Sequence, residues 1–190
     1  MRLPRALILA ALAGFVVPML VSGPPSSAKQ IERGEFNNVF TGEIEDFCDV
    51  PGFTVEFEAV VKGRFTVKSH GPDGLLFFTE HLSISQTFTN VANSLSVVEK
   101  TRVLNKDLHV TDNGDGTLTI VLMSTGPSSL YGPDGKAIAR NPGQVRFEIV
   151  VEHGGTPTDP SDDIELSFTQ IKGSTGRTDD YCAAIIDTIL

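Results

Sequence analysis

Cysteine is almost absent from this 190-residue chain: there are two, Cys48 and Cys182. Neither sits in a C-x-x-C or beside a histidine, which excludes the usual spacings of a thiolate metal site or a dithiol redox centre. The four histidines, His70, His81, His109 and His153, show no H-x-x-x-H or other ligand spacing. No glycine-rich phosphate loop precedes a helical pattern, and Gly173-Ser174-Thr175-Gly176 is not a G-x-S-x-G elbow. Cations are scarce as well, 15 Lys and Arg against 24 Asp and Glu for a net charge of −9. They form no cluster interleaved with aromatics, so nucleic acid is not an expected partner. After the first two dozen residues no long apolar run recurs. No cofactor and no metal are implied.

What is present begins with an export pattern over residues 1–28. Arg2 and Arg5 give a positive start, and Ala6 to Val17 an apolar stretch too short to span a bilayer. Ser26-Ser27-Ala28 then supplies small residues for cleavage. The expectation is a signal peptide over 1–28 and one secreted, extracytoplasmic domain over 29–190, with no membrane association after cleavage. That domain has 162 residues (190 − 28), enough for a core of its own. In an oxidising compartment two lone cysteines most often pair, so Cys48 and Cys182 are expected to form a disulfide closing a loop of 134 residues (182 − 48).

Strand periodicity dominates the remainder. In Phe53, Val55, Phe57, Ala59, Val61, Phe65 and Val67 every apolar residue is odd-numbered, with polar residues between. Parity holds across Gly63, which favours one long strand bent at the glycine over a hairpin. Phe36 to Phe40 reads as a short first strand after a frayed polar start. Leu76 to Asn90 puts Phe78, Leu82, Ile84 and Phe88 on one face, together with Glu80 and Gln86. Between Leu95 and Asp112 the parity slips, and a bulge near Thr101 to Asn105 accounts for it. Asp112-Asn113-Gly114-Asp115-Gly116 turns the chain, placing Val110 opposite Leu118 and Leu108 opposite Ile120. Two Gly-Pro-Asp-Gly turns, at 71–74 and 132–135, mark further hairpins. Val145, Phe147, Ile149 and Val151 alternate in another strand, and Ile164, Leu166 and Phe168 open the last. Cys182, Ile185, Ile186 and Ile189 follow helical spacing, so a short C-terminal helix capped by Thr178 is expected.

The predicted fold is all-β: an antiparallel meander closing into a seven- or eight-stranded β-barrel with a short C-terminal helix, or alternatively a β-sandwich. The glycine-rich turn at 112–116 superficially matches a calcium loop, but a twelfth-position acid is missing, since Met123 stands there. Asp159, Asp162, Asp163 and Glu165 are a better oxygen-donor group, though a solvated loop is the simpler reading. His153 falls on the inward parity beside this acidic loop. Glu80 is the most informative polar residue, because a carboxylate among apolar neighbours needs a cation, water or a ligand.

The blocks DLHVTDNGDGTLTIVLMSTG (107–126), YGPDGKAIARNPGQVRFEIVVEHGGTPTDP (131–160) and KGSTGRTDDYC (172–182) together resemble an uncharacterised family of small exported bacterial proteins. The expected barrel is similar in shape to lipocalins and allene oxide cyclases. The resemblance implies no activity and transfers no catalytic residue. Two functional expectations follow from the residues. One is a lumen holding a small apolar or amphipathic ligand, lined by Phe57, Phe78, Phe88 and Phe147, with Glu80, Gln86 or Arg102 orienting its polar end. The other is a cyclase or isomerase using Glu80 as acid or base. A structural or interaction module with a filled core is the bland alternative, in which Glu80 is merely ion-paired with Lys100 or Arg102.

Overall fold

A computed structural model describes residues 29–190. The export pattern over 1–28 lies outside the described residues. One antiparallel sheet contains β1 (Lys29–Ile44), β2 (Val55–His70), β3 (Leu75–Asn90), β4 (Ser96–Asp112), β5 (Thr117–Gly126), β6 (Ser128–Tyr131), β7 (Ala137–Arg140), β8 (Gly143–Glu152) and β9 (Ile164–Lys172). A single α-helix, α1 (Tyr181–Ile189), follows. The hydrogen-bonded order is β1-β2-β3-β4-β5-β8-β9, with the β6–β7 hairpin attached to β4.

The protein is therefore all-β with one short C-terminal helix, and there is no second sheet of a sandwich among the described residues. Closure into a barrel is not made by hydrogen bonds, because β1 and β9 remain the two ends of the ladder. Register shifts near both ends of β9, at Val150/Val151 and Arg146/Phe147 of its partner, interrupt regular pairing at that edge. Among the described residues no helix is long and apolar enough to cross a membrane.

Strand β4 is the spine. Its first half pairs with β6 from Val98↔Tyr131 to Thr101↔Ser128, and its second half with β5 from Leu104↔Thr125 to Asp112↔Leu118. The chain passes from β5 to β6 through Gly126 and Pro127 while Arg102 N donates to Pro127 O at 2.9 Å, so the ladder survives the kink. Gly126 has φ +153°, and a Cβ there would strike the Arg102 carbonyl.

Three details differ from the periodicity alone. The β4–β5 turn is tighter than expected, closed by Asn113 N to Thr117 O at 3.0 Å and by Gly114 N to the Asp112 carboxylate at 2.8 Å. Pairing thus reaches Asp112↔Leu118, and Val110 faces Ile120 rather than Leu118. The parity slip falls between Asp107 and His109, not at 101–105, leaving Leu108 as the extra residue of a bulge. Strand β1 is also far longer than Phe36 to Phe40. It pairs with β2 over nearly its whole length because three cross-strand glycine–phenylalanine pairs lock the register. Gly34 lies under Phe65, Gly42 under Phe57 and Gly63 under Phe36, each ring occupying the place a Cβ would take. Strand β2 runs unbroken across Gly63, as its parity required.

The well-packed core sits at one end of the apolar face, where α1 lies against the sheet. Phe53, Val55, Phe88, Val97, Leu130, Ala139, Ile185 and Ile189 are its buried members. Cys48 and Cys182 form the expected disulfide, with Cα atoms 5.5 Å apart. The cap of α1 is Asp180, which accepts from Ala183 N at 3.1 Å, and not Thr178, whose hydroxyl instead meets Gly176 O. At its other end the Ile189 carbonyl accepts from Asn90 Nδ2 at 2.6 Å and Asn93 Nδ2 at 3.0 Å. Asn90 is buried and also takes the Ala92 amide on its Oδ1 at 2.9 Å. Asn90→Ala removes two hydrogen bonds in this core and should cost about 2 kcal/mol in chemical denaturation. A variant within about 0.5 kcal/mol of wild type would show that Asn93 alone holds the helix end.

Candidate functional site

Direct cross-strand partners share a face, so the registers assign every side chain of the sheet. One face carries Phe36 and Phe40 from β1, and Val55 to Val67 at odd positions of β2. From β3 come Phe78, Glu80, Leu82, Ile84, Gln86 and Phe88, and from β4 come Val97, Glu99, Thr101, Val103, Asn105 and Asp107. Beyond the bulge it continues with Val110, Ile120, Leu122, Phe147 and Ile149. From Glu32 onward no strand places a Lys or Arg on this face in the paired region of β1–β5 and β8. Among the described residues of that region, its charges are carboxylates.

Glu80 is 5% exposed, between Phe65 on β2 and Asn105 on β4. Its Oε2 accepts a single hydrogen bond, from Asn105 Nδ2 at 3.1 Å. Burial pushes its pKa above the ordinary carboxylate value, with the Asn105 amide opposing. Asp107 follows two residues along β4, just before the bulge. The last regular β3–β4 pair is Thr79↔Lys106, and beyond it the Phe78 amide donates to Asp107 Oδ2 at 2.7 Å. Burial raises the Asp107 pKa to about 6, against the pull of that amide. Neither carboxylate forms an ion pair among the described residues. Two acids thus stand as near neighbours on an apolar surface with neutral partners only.

Arg102 and Lys100 do not face Glu80. They pair with Ser83 and Ser85, whose parity is opposite to that of Glu80, so both cations lie on the other face. Misplacing the bulge had turned them inward. Gln86 shares the face of Glu80 but is six residues away, about 20 Å along an extended strand, so the two cannot hold one polar group. Its Nε2 is buried without a hydrogen-bond partner among the described residues, beside Glu99 on β4. Glu99 in turn accepts from Ser128 Oγ at 2.8 Å and Thr101 Oγ1 at 3.0 Å, and Tyr181 OH bonds Ser128 Oγ at 2.9 Å. That network fastens α1 to the sheet. Burial raises the Tyr181 pKa.

The four expected phenylalanines divide between the two ends. Phe88 belongs to the α1 core, and Phe57, directly opposite, packs against it. Phe78 adjoins Glu80 and stacks on Phe65 with centroids 5.9 Å apart. Phe147 stands opposite Leu122, itself opposite Asp107, and meets Phe168 at 4.7 Å. Phe65, Phe78, Leu122 and Phe147 are therefore the apolar surroundings of the two acids. Asn105 and Asp107 were missed in the sequence because the slipped parity hid their face. Two surface depressions, of about 280 and 270 Å³, lie elsewhere, and neither is lined by Glu80, Asn105 or Asp107.

The acidic loop after β8 serves its own closure. Asp159 caps Ser161 N at 3.0 Å, and Asp162 accepts from Thr156 Oγ1 at 2.8 Å. Buried His153 places Nε2 4.0 Å from Asp112 Oδ1. Among the described residues no group of three or more His, Cys, Asp or Glu is arranged to hold a metal ion.

Fold and site together define an antiparallel β-sheet protein whose ladder is not closed by hydrogen bonds, with a disulfide-bonded helix against one end of its apolar face and an acidic pair further along it. No protein-family model, no curated protein and no solved structure matches the chain.

Proposed function

We propose that the apolar face binds a small amphipathic molecule whose polar end is a cation or hydrogen-bond donor received by Glu80 and Asp107. The observation that supports this reading is the absence of any counter-charge for these two acids among the described residues. A purely structural carboxylate on an apolar surface is normally paired, since burying it bare costs several kcal/mol. Here the partner is left to a proton or to a ligand. Phe65, Phe78, Leu122 and Phe147 offer the apolar tail its contacts, while like charge disfavours a fatty acid. A second reading, proton transfer to or from a bound substrate, is favoured by one observation, the Asp107 pKa near 6, which keeps both protonation states accessible close to neutrality.

Calorimetric titration with dodecylamine and dodecanoate separates these ideas from a filled, inert sheet. The amine should bind saturably, at least about tenfold more tightly than the acid, and more tightly at pH 7.5 than at pH 5 as Asp107 ionises. Equal binding of both, or of neither, would remove the ligand reading. Chemical change in a recovered ligand would move the assignment to catalysis.

A further inference from the structure

The opposite face of the sheet is chemically different, since it gathers cations. Lys62 and Arg64 of β2 and Lys100, Arg102 and Lys106 of β4 all project there, although the β2 group and the β4 group are far apart in sequence. All five are exposed, and none forms an ion pair among the described residues. Where β4 meets β6, a depression of about 280 Å³ is lined by Ser83, Lys100, Thr101, Arg102, Pro127, Ser129 and Tyr131, so Lys100 and Arg102 are the two of the five cations that reach it. No acid lines it. The volume lies close to the lower bound of ordinary small-molecule sites, about 300 Å³.

We infer that this depression is an oxyanion site for an acidic saccharide, a sugar unit bearing a carboxylate or sulfate. Lys100 and Arg102 are successive residues of one row, about 6.6 Å apart along β4. Each is flanked by hydroxyls or small groups: Ser85 and Ser129 beside Lys100, Ser83 and Pro127 beside Arg102. The planar guanidinium fork suits a bidentate oxyanion, and the serine hydroxyls can both give and accept hydrogen bonds to sugar hydroxyls. Lys100 Nζ rests 5.5 Å from the Tyr131 ring centroid, which holds that charge at the rim. The segment is firmly placed, because Arg102 N donates to Pro127 O at 2.9 Å and Gly126 lies too close to the Arg102 carbonyl for any side chain. Lys62 and Arg64, two strands or about 10 Å away, extend the positive field toward β1, where Glu35 opposite Arg64 ends it.

A net charge of −9 opposes a long polyanion such as a nucleic-acid duplex, and Tyr131 is the only aromatic ring in the depression. A lipid surface is disfavoured by the absence of large exposed apolar side chains between β2 and β4 on this face. Binding to oligogalacturonate, a sulfated oligosaccharide, neutral maltooligosaccharide, a short DNA duplex and phosphatidylglycerol vesicles should be compared at low and physiological salt. One of the two acidic saccharides should bind, with the neutral one weaker by at least about tenfold. The Lys100→Gln/Arg102→Gln variant should lose at least about tenfold while keeping its melting temperature, Arg102→Lys should retain part of the affinity, and Lys136→Gln should match wild type. No saccharide binding at low salt, undiminished binding by the double variant, or tighter binding of DNA or vesicles would each overturn the assignment.

Discussion

Reduction of the Cys48–Cys182 disulfide is expected to lower the melting temperature by about 10–20 °C. The bond joins residues 134 apart, and closing so long a loop removes about 5 kcal/mol of chain entropy from the unfolded state, an upper bound where that state is already compact. For a domain of this size each kcal/mol corresponds to about 2–4 °C. Local geometry adds to the effect. Asp46, Cys48 and Asp49 have φ of 49°, 58° and 61°, a conformation that side-chain-bearing residues seldom adopt. The turn is held by Gly52 N to Asp46 Oδ1 and Phe47 N to Phe53 O, both 2.7 Å, and by the bond to α1. Cys48→Ala, Cys182→Ala and the double variant should melt together, and reductant should bring wild type to the same temperature. An unchanged melting temperature would mean that the packing of Ile185 and Ile189 alone carries the helix.

Asp107→Asn is expected to stabilise the protein above pH 6 and to do nothing below pH 4. The folded-state pKa of about 6 lies above the ordinary value of 3.8, so between these values the folded chain binds more protons than the unfolded one. Stability is then full below about pH 4 and falls as pH rises through about 6. The ionised form is penalised by up to about 3 kcal/mol at pH 7.5, two units at about 1.4 kcal/mol each. Asparagine keeps an oxygen for the Phe78 amide and carries no charge. Melting curves of both proteins at pH 3.5, 5.5 and 7.5 should therefore diverge progressively. A variant that is less stable at pH 7.5 would show that the Asp107 charge is compensated in the native protein. The gain in stability should come with loss of amine binding, as expected where a strained group is retained for function.

Strand identity was largely legible in the residues, register much less so. The odd-numbered row from Phe53 to Val67 announced β2 across Gly63 because one face is apolar throughout. Strand β1 was under-read for the opposite reason: Lys29 to Glu35 has one large apolar residue, Ile31, and its pairing depends on Gly34 fitting beneath a phenylalanine 31 residues away (65 − 34). A tight turn at Asn113–Gly116 shifted the β4–β5 pairing by two residues and moved the bulge to Leu108. That displacement decided the site. It turned Lys100 and Arg102 outward and brought Asn105 and Asp107 beside Glu80, which strand parity had already placed on the apolar face. The outward cations were illegible as a group because adjacency across strands leaves no run in the sequence. Asp180 displaced Thr178 as cap since both residue types can fill that role and only the helix start chooses between them.

Carbon-detected NMR titration of the Glu80 and Asp107 carboxyls, in free protein and with dodecylamine added, tests most directly whether this acidic pair lacks a partner in the chain. Free protein should show Asp107 titrating near 6 and Glu80 above the ordinary carboxylate value, and the amine should move both downward. Ordinary values in the free protein, insensitive to the amine, would contradict it.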